Sequence, residues 1–403
     1  MDLILITIKL IYKIEQGTWN SVLFYAEGNR VLSFFVSWEQ RKLKDMSTYK
    51  NGTGHEDKQS STGKYELINL NSVSIDGGLK SSGKYIDESD ETLQIDDLVM
   101  VLSDVGHGDL LGRVAVIPEN NRFVLNQRVA LLRPNDSVFP RFLFTCINAG
   151  QAYFKINGAG SSQLNISKEV VENFEPFIPK KDEQIKISET FEKIDNLITL
   201  HQSKYDKLVN VKKALLEKMF PKDGKNVPEI RFKGFTDTWE QRKLGEIYKF
   251  QYGEFNNNPS NGGIYPVYGA NGIIGGYTNY NAENSVIIGH MGEYAGSVLW
   301  GNGKHFVTYN GTISKPKGEN VASKFGYYML YQKDINKICG GSGLPFLSYE
   351  QLNKIEVCYP KDIKEQKSIA NYLTNIDNLI TLHQHKLEKL KNMKKSLLNK
   401  MFI

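Results

Sequence analysis

Tyrosine and asparagine are concentrated after residue 245, and both side chains can make the contacts that reading a nucleic acid requires. Asn can read an adenine edge through two hydrogen bonds, whereas Tyr can bond a phosphate or stack on a base. Histidine and lysine follow further along the chain. The candidate contact residues of this segment are Tyr252, Asn256, Asn257, Tyr268, Asn271, Tyr277, His290, Lys304 and Lys315.

An earlier segment offers a similar set that is richer in lysine and arginine. Its candidates are Lys64, Tyr65, Lys80, Lys84, Arg113, Asn126, Gln127 and Arg128. Taken one at a time, a Tyr more often fills a core and an Asn more often makes a turn. Taken together, the two segments favour a nucleic-acid surface. The net charge of +5 permits a polyanionic partner without requiring one.

Signatures of catalysis are missing from the sequence. It contains no G-x-x-x-x-G-K-[ST] loop for nucleotide phosphates, no G-x-S-x-G nucleophile elbow and no Asn/Asp-Pro-Pro-Tyr/Phe motif of an amino-methyltransferase. Three cysteines, Cys146, Cys339 and Cys358, form no Cys-x-x-Cys pair, which argues against a zinc ribbon and a disulfide framework. We therefore expect no catalytic residue and no metal site, although the scattered carboxylates of a nuclease would leave no such signature.

The sequence elements that flank the candidate residues occur twice in the chain. The hexapeptide that begins at Trp38 recurs letter for letter at Trp239, and the octapeptide that begins at Ile194 recurs at Ile376. Over 38 aligned positions around the second motif, 23 are identical. The segments between the two motifs differ in sequence and length. This pattern predicts one scaffold, duplicated in tandem, that carries two different readers.

Each repeated C-terminal segment predicts a long amphipathic helix. Apolar residues alternate at steps of four and three over four heptads, which is typical of a coiled-coil seam. The seam residues are Ile187, Phe191, Ile194, Ile198, His201 and Leu208 in the first copy and Ile369, Leu373, Ile376, Ile380, His383 and Leu390 in the second. The matching histidines could form a metal site or a pH switch, but two imidazoles packed across a helix pair is the simpler interpretation.

These patterns predict an α+β fold, with two mixed α/β recognition domains joined by two long antiparallel coiled-coil helices in a pseudo-two-fold tandem duplication. Short apolar runs predict buried strands at 97–102, 113–117, 128–132, 285–288 and 355–358, and helices are predicted at 139–147 and 324–331. The predicted boundaries are 1–37 for an atypical N-terminal segment, 38–176 for the first recognition domain, 177–220 for the first long helix, 221–238 for a linker, 239–358 for the second recognition domain and 359–403 for the second long helix.

The arrangement of the motifs resembles the specificity subunit of Type I restriction–modification enzymes. A duplicated chain with two unlike middle segments, each followed by a long helix carrying Ile-Asp-x-Leu-Ile, is typical of that family. The stretch 340–360, and more weakly 157–179, is similar to the family's domain end, and 227–235 is similar to its start. The resemblance covers about residues 38–403, whereas residues 1–37 do not resemble the family start.

The resemblance implies that each middle segment is a target recognition domain for one half of a split site on double-stranded DNA. The long helices would space the halves and dock two methyltransferase subunits, which would use S-adenosylmethionine to methylate adenine. Restriction subunits, acting as translocase and endonuclease, would use ATP and Mg. The chain itself would bind no cofactor, would not be an enzyme and would serve host defence by addressing its partners to DNA.

Two other functions are open from the sequence: a stand-alone DNA methylase or nuclease with its own recognition domains, and a coiled-coil adaptor without a DNA role. The apolar run 3–14 contains two lysines and is too short to span a bilayer. No signal-peptide cleavage pattern follows it. We therefore expect a cytoplasmic protein without a membrane segment.

Overall fold

A computed structural model describes residues 38–105, 108–222, 224–255, 262–340 and 343–402. The predicted N-terminal segment 1–37 lies outside the described residues. The chain divides into two compact units, of which unit 1 comprises residues up to Ile198 and from Lys389 on, and unit 2 comprises Thr199–Glu388. Both units mix helix with sheet, which confirms the predicted α/β character of the domains.

The elements follow one another in the order that the sequence patterns suggest. The strands of the described chain are β1 (Glu39–Gln40), β2 (Ser47–Asn51), β3 (Tyr65–Ile68), β4 (Tyr85–Ile86), β5 (Leu98–Val101), β6 (Ser103–Val105), β7 (Val114–Val116), β8 (Phe123–Leu125), β9 (Val129–Pro134), β10 (Gln163–Asn165), β11 (Phe177–Ile178), β12 (Glu240–Lys243), β13 (Tyr248–Tyr252), β14 (Tyr265–Gly269), β15 (Gly272–Tyr277), β16 (Ala282–Gly289), β17 (Val298–Val307), β18 (Gly311–Pro316) and β19 (Glu356–Tyr359). The α-helices are α1 (Leu43–Met46), α2 (Pro140–Ala149), α3 (Gln151–Ile156), α4 (Lys168–Glu172), α5 (Lys181–Met219), α6 (Leu244–Ile247), α7 (Ser323–Tyr331), α8 (Tyr349–Lys354) and α9 (Ile363–Phe402).

Unit 1 is built on a four-stranded sheet with the order β2-β9-β5-β7. All four residues of β5 are buried, because an uninterrupted apolar run suits a strand that is covered on both faces. Leu98 and Met100 pack with Phe142 of α2 on one face. Val99 and Val101 pack on the other face beside the three-stranded sheet β4-β3-β8.

Unit 2 is built on a six-stranded sheet with the order β13-β18-β16-β17-β14-β15. Its strands pair antiparallel except for β14 and β17, which run parallel. Val286 and Ile288 of β16 pack with Phe325 and Tyr328 of α7 in the main core cluster. The strand β15 forms an edge of this sheet, so one side of its backbone has no neighbouring strand in the described sheet.

The helices α5 and α9 contain 39 and 40 residues. Within unit 1, Lys394 Nζ donates to the Asp195 carboxylate at 2.6 Å. The rings of Phe191 and Phe402 lie 6.2 Å apart. Since the higher residue number on α5 meets the lower one on α9, these two segments run antiparallel.

Within unit 2, the same helices contact each other through polar side chains. Lys212 Nζ lies 2.7 Å from the Asp377 carboxylate, and His201 Nδ1 lies 2.8 Å from His383 Nδ1. Along these contacts the residue numbers rise on α5 and fall on α9, so the two helix segments of unit 2 also run antiparallel. All twelve predicted seam residues are buried or half-buried in their units.

The histidine pair should make the stability of unit 2 depend on pH. Desolvation, followed by the positive charges of His383, Lys386 and Lys204, lowers the pKa of His201. The unfolded chain therefore takes up this proton more readily, and the stabilisation is present above a pH of about 6.5 and is lost as the pH falls through the depressed pKa. We expect the thermal unfolding midpoint to fall with acidification, and to fall less in His201→Gln. His385→Gln is the control, because His385 is exposed on the same unit. If the midpoint of His201→Gln fell with acidification as much as that of the unchanged chain and of this control, the role of the histidine pair would be contradicted.

The repeated hexapeptide anchors each recognition domain to the start of a long helix. In unit 1, Trp38 Nε1 donates to Glu183 at 3.3 Å, and β1 pairs with β11. In unit 2, Trp239 Nε1 donates to Glu365 at 3.3 Å, and β12 pairs with β19. Identical sequence motifs thus make the same contacts in both units.

A buried glutamine next to each of these glutamates adds a second anchor. Gln184 donates to the Pro179 carbonyl and accepts from the Phe139 N–H, at 2.8 and 2.7 Å. Gln366 donates to the Pro360 carbonyl and accepts from the Ala322 N–H, each at 2.8 Å. Each amide therefore ties the end of a domain, the N-terminus of α2 or α7 and a long helix together.

Removing the Glu365 carboxylate should strongly destabilise unit 2. Arg231 binds both carboxylate oxygens, at 2.6 and 2.8 Å, and the Glu365 side chain is 1% exposed. Glu365→Ala leaves the half-buried Arg231 guanidinium and the Trp239 indole N–H without their partner, so we expect a loss of about 1.5–3 kcal/mol in the free energy of unfolding. Urea denaturation measures it, with Glu350→Ala as the control because Glu350 and Lys354 form a solvent-exposed pair. An unchanged midpoint for Glu365→Ala would contradict the assignment.

Within the described ranges, no helix is both long and apolar enough to cross a membrane.

Candidate nucleic-acid interface

Lysine and arginine side chains of unit 1 form an exposed set of predicted contact residues. The exposed members are Lys64, Lys80, Lys84, Gln127 and Arg128, and Tyr65 is half-buried. The ammonium of Lys64 lies 4.7 Å from the centre of the Tyr65 ring. A hydrogen bond to the Tyr65 side chain raises the pKa of Lys64. Like any exposed lysine, Lys64 is protonated at neutral pH and can therefore bind a phosphate.

The turn between β8 and β9 presents two of these residues side by side. Arg128 has a φ of 65°, in the left-handed region that a tight turn requires. The Gln127 amide donates to the Glu56 carboxylate, which holds it in place. One turn thus carries an exposed guanidinium, the group that most often reads a guanine edge, beside an amide whose N–H already binds Glu56.

Two predicted residues of unit 1 have structural contacts instead. Asn126 is 7% exposed, and its side-chain oxygen accepts from the Gln127 N–H. Arg113 is half-buried and donates to the Asn148 carbonyl at 3.0 Å, and burial lowers its pKa. Asn126 is therefore buried, whereas Arg113 is partly exposed and its guanidinium is engaged by the Asn148 carbonyl.

A β-hairpin formed by β14 and β15 carries the exposed polar residues of unit 2. Ala270 and Asn271 connect the two strands, and the Asn271 side chain is exposed. Tyr277 is half-buried, with its ring 5.1 Å from that of Phe306. On its other side β14 pairs with β17, so this hairpin is the edge of the six-stranded sheet and not a free ribbon. Its turn places an exposed amide at the end of that sheet edge.

A cation and two tyrosines lie beside this hairpin. The exposed Lys304 of β17 places its ammonium 4.6 Å from the centre of the Tyr280 ring, and the Tyr265 and Tyr280 rings are 5.1 Å apart. A hydrogen bond to Tyr280 raises the pKa of Lys304. This cluster can hold a phosphate next to an aromatic surface. Lys315 of β18 is also exposed.

Exposed isoleucines around β15 were missed by the sequence analysis. Ile264 is 83% exposed and Ile273 is 62% exposed. Isoleucine near a strand is normally assigned to a core, so residue type alone hides such a surface. The glycines around these isoleucines are the sequence feature that could have indicated an unusual strand. A Cβ on Gly276 would lie 2.6 Å from the Gly263 carbonyl oxygen, so only glycine fits where these two backbones approach each other.

Other predicted residues of unit 2 are buried or stacked. Tyr268 is 9% exposed and packs in a small core with Val307. His290 is 4% exposed, and burial lowers its pKa. The half-buried Tyr252 stacks on Tyr349, with ring centres 4.1 Å apart.

Two further predicted residues, Asn256 and Asn257, lie outside the described residues. In the part of the chain that the structure describes, no group of three or more His, Cys, Asp or Glu side chains could hold a metal ion.

Each unit thus has a different set of exposed polar side chains. In a comparison with models of known protein families, the chain matches the Type I restriction modification DNA specificity domain twice, over residues 36–210 and 236–392. Together these matches span well over half of the sequence. The chain belongs to the Type I restriction–modification specificity family.

Two relatives of this specificity protein are specificity subunits of Methanocaldococcus jannaschii. The Type I restriction enzyme MjaVIII specificity subunit of Methanocaldococcus jannaschii is 23% identical over 310 residues, which cover 67% of this chain and 71% of the relative. The putative type I restriction enzyme MjaX specificity subunit of the same organism is 25% identical over 399 residues, covering 90% and 92% of the two chains.

A solved structure shares the fold. The crystal structure of the Type-I restriction-modification system S subunit from M. genitalium superposes with a TM-score of 0.70 at 21% identity, covering 94% of this chain and 98% of that chain. As a member of the family, this specificity protein supplies DNA sequence specificity and is not a catalytic subunit. The resemblance noted in the sequence is confirmed.

Proposed function

We propose that the two recognition domains each read one half of a bipartite site on double-stranded DNA. The observation that carries this proposal is the repeated anchor: Trp38 with Glu183, and Trp239 with Glu365, at the same 3.3 Å. One scaffold used twice, with unlike surfaces between the repeats, suits a protein that addresses two different base sequences. The boundaries of the two readers are 38–176 and 239–358.

The proposed contacts divide into base-reading and phosphate-binding groups. In the second reader, Asn271 at the hairpin tip reads a base edge, and Lys304 binds a phosphate. In the first reader, Gln127 and Arg128 read base edges, and Lys64 binds a phosphate. Lys80, Lys84, Tyr277 and Lys315 add contacts at the margins.

The long helices are proposed to act as a spacer. Residues 177–220 and 359–403 would form an antiparallel coiled coil with pseudo-two-fold symmetry, and residues 221–238 would link the halves. A helix of 39 residues is roughly 58 Å long, which exceeds the 34–36 Å or so between DNA half-sites one turn apart. A packed helix pair is stiff enough to fix that separation.

Partner subunits would perform the chemistry. Two methyltransferase subunits, which use S-adenosylmethionine, would dock on the helices, and restriction subunits would translocate and cut DNA with ATP and Mg. This chain would contribute no cofactor. The complex would act in the cytoplasm, where the host DNA is.

Gel-shift binding on random DNA tests this function, with and without the co-purified methyltransferase. We expect a selected DNA pool with two short fixed sequences separated by a fixed gap. A single continuous site would contradict the two-reader proposal. Methylation or cleavage by the chain alone would favour a stand-alone enzyme, and no DNA selection at all would favour an adaptor.

A further inference from the structure

Phe255 and Tyr309 form an exposed aromatic pair at one end of the six-stranded sheet of unit 2. Phe255 is 72% exposed and Tyr309 is 44% exposed, and their ring centres lie 5.9 Å apart with the rings tilted by 42°. Single exposed aromatic residues are common and need no explanation. Two neighbouring rings that both stay exposed are different, because one partner could cover and stabilise both of them at once.

Main-chain contacts hold the aromatic pair in place. Tyr309 lies in a tight turn, which the Gly311 N–H closes by donating to the Thr308 carbonyl at 2.9 Å. The Gly253 N–H, two residues before Phe255, donates to the Gly311 carbonyl at 2.8 Å. A Cβ on Gly253 would lie 2.1 Å from the Thr308 carbonyl oxygen, so only glycine allows these two segments to approach so closely. The position of the pair therefore depends on the backbone, and truncating an exposed ring should leave the fold intact.

The hairpin turn that carries Asn271 lies next to the aromatic pair. Gly289 lies against this turn, since a Cβ on Gly289 would be 3.2 Å from the Ala270 Cβ. The following residue, His290, donates its backbone N–H to the Asn310 carbonyl at 3.1 Å, in the turn that contains one ring of the pair. The proposed base-reading amide and the aromatic pair therefore lie in turns that flank the same two residues.

The sequence around the aromatic pair indicates what could cover it. The flanking residues in the sequence are Glu254, Asn256, Thr308 and Asn310, and none of these four is basic. A phosphate is therefore a poor ligand, whereas amides beside aromatic rings suit a base, which offers polar edges and an uncharged face. The pair also lies in the segment that differs between the two copies of the repeat. A protein that binds both copies alike would need the same residues twice, so a DNA half-site is the occupant that fits.

We propose that Phe255, supported by Tyr309, inserts at a base step of the half-site that unit 2 reads and stacks on the base uncovered there. This inference rests on the proposed function, and it assigns the residues that help to open the duplex. Methyltransferases extrude their target base from the duplex and must overcome its stacking to do so. An apolar side chain that fills an opened base step offsets part of that loss, as in proteins that kink DNA. The aromatic pair thereby makes the target adenine of this half-site easier for the partner methyltransferase to reach.

Permanganate footprinting tests the assignment, with the chain, its co-expressed methyltransferase and DNA that carries the selected bipartite site. Permanganate oxidises thymines that have lost their stacking neighbours, including the thymine opposite an extruded adenine. We expect Phe255→Ala to reduce this oxidation in the half-site of unit 2 and to leave the other half-site unchanged. Because stacking on an aromatic side chain strengthens binding roughly five- to 150-fold per base, the DNA affinity should fall by a factor in that range. Phe255→Tyr keeps an aromatic ring and should restore both the oxidation and the affinity.

Phe177→Ala is the matched control, because Phe177 is 55% exposed but lies in unit 1 and outside both proposed readers. It should change neither the oxidation nor the affinity. Unchanged oxidation and affinity in Phe255→Ala would overturn the insertion while leaving the proposed function intact. Loss of the methyltransferase from the Phe255→Ala complex, measured by native mass spectrometry, would overturn it as well and assign the aromatic pair to a protein contact. An unchanged chain that selects no bipartite DNA would overturn both the insertion and the proposed function.

Discussion

Exchanging residues 245–357 for the matching segment of a relative is expected to replace one half of the methylated DNA motif and leave the other half unchanged. The segment begins directly after the hexapeptide at Trp239 and ends within the strand β19, which pairs with β12 of that hexapeptide. A recognition segment from a relative would therefore be joined to the same flanking helix and strand residues. Base contacts that belong to different readers should therefore be independent.

Methylome sequencing of a host that carries the exchanged gene measures this effect. The reciprocal exchange of residues 44–176 is the matched control and should change the opposite half. Because each correct bidentate base contact contributes about 1–3 kcal/mol of discrimination, loss of several contacts should abolish methylation of the original half-site. A simultaneous change of both halves would show that the readers are not independent.

Adding one heptad to both long helices is expected to lengthen the preferred gap between the half-sites or abolish DNA binding. Seven residues extend each helix by about 10.5 Å and nearly preserve the phase of the seam. That length corresponds to roughly three base pairs, or about 100° of DNA twist. Duplicating residues 198–204 and 380–386 keeps the histidine pair and repeats it once.

A four-residue insertion is the control for the seam. It lengthens the helix by about 6 Å but rotates the attached domain by about 40°, so apolar residues leave the seam. Selection from a DNA library with randomised gap lengths measures both variants. Full activity at the original gap after the heptad insertion would mean that the helices do not set the spacing.

The sequence predicted helices and strands well where one apolar pattern dominates. The continuous apolar run at 97–102 became β5, and the heptads became α5 and α9. Sheet order could not be predicted, because the parallel pairing of β14 with β17 joins strands that are distant in sequence. That pairing depends on packing across the whole unit, not on local pattern.

Site residues were predicted by chemical type, which does not determine exposure. Asn271 and Lys304 are exposed as a contact surface requires, whereas Tyr268 and His290 are buried. Tyr268 follows the buried Val267 in a strand that is covered on both sides. The usual alternation of buried and exposed residues along a strand therefore did not identify Tyr268 as buried. Ile273 shows the converse error, since an apolar residue on an edge strand faces solvent.

The measurement that tests the central claim most directly is adenine methylome sequencing of a host with and without this gene. If the chain recognises a bipartite DNA site, one motif with two fixed halves and a fixed gap will be methylated only when the gene is present. Asn271→Ala should then relax one position in one half. An identical methylome in both hosts, with the partner methyltransferase expressed, would contradict the account.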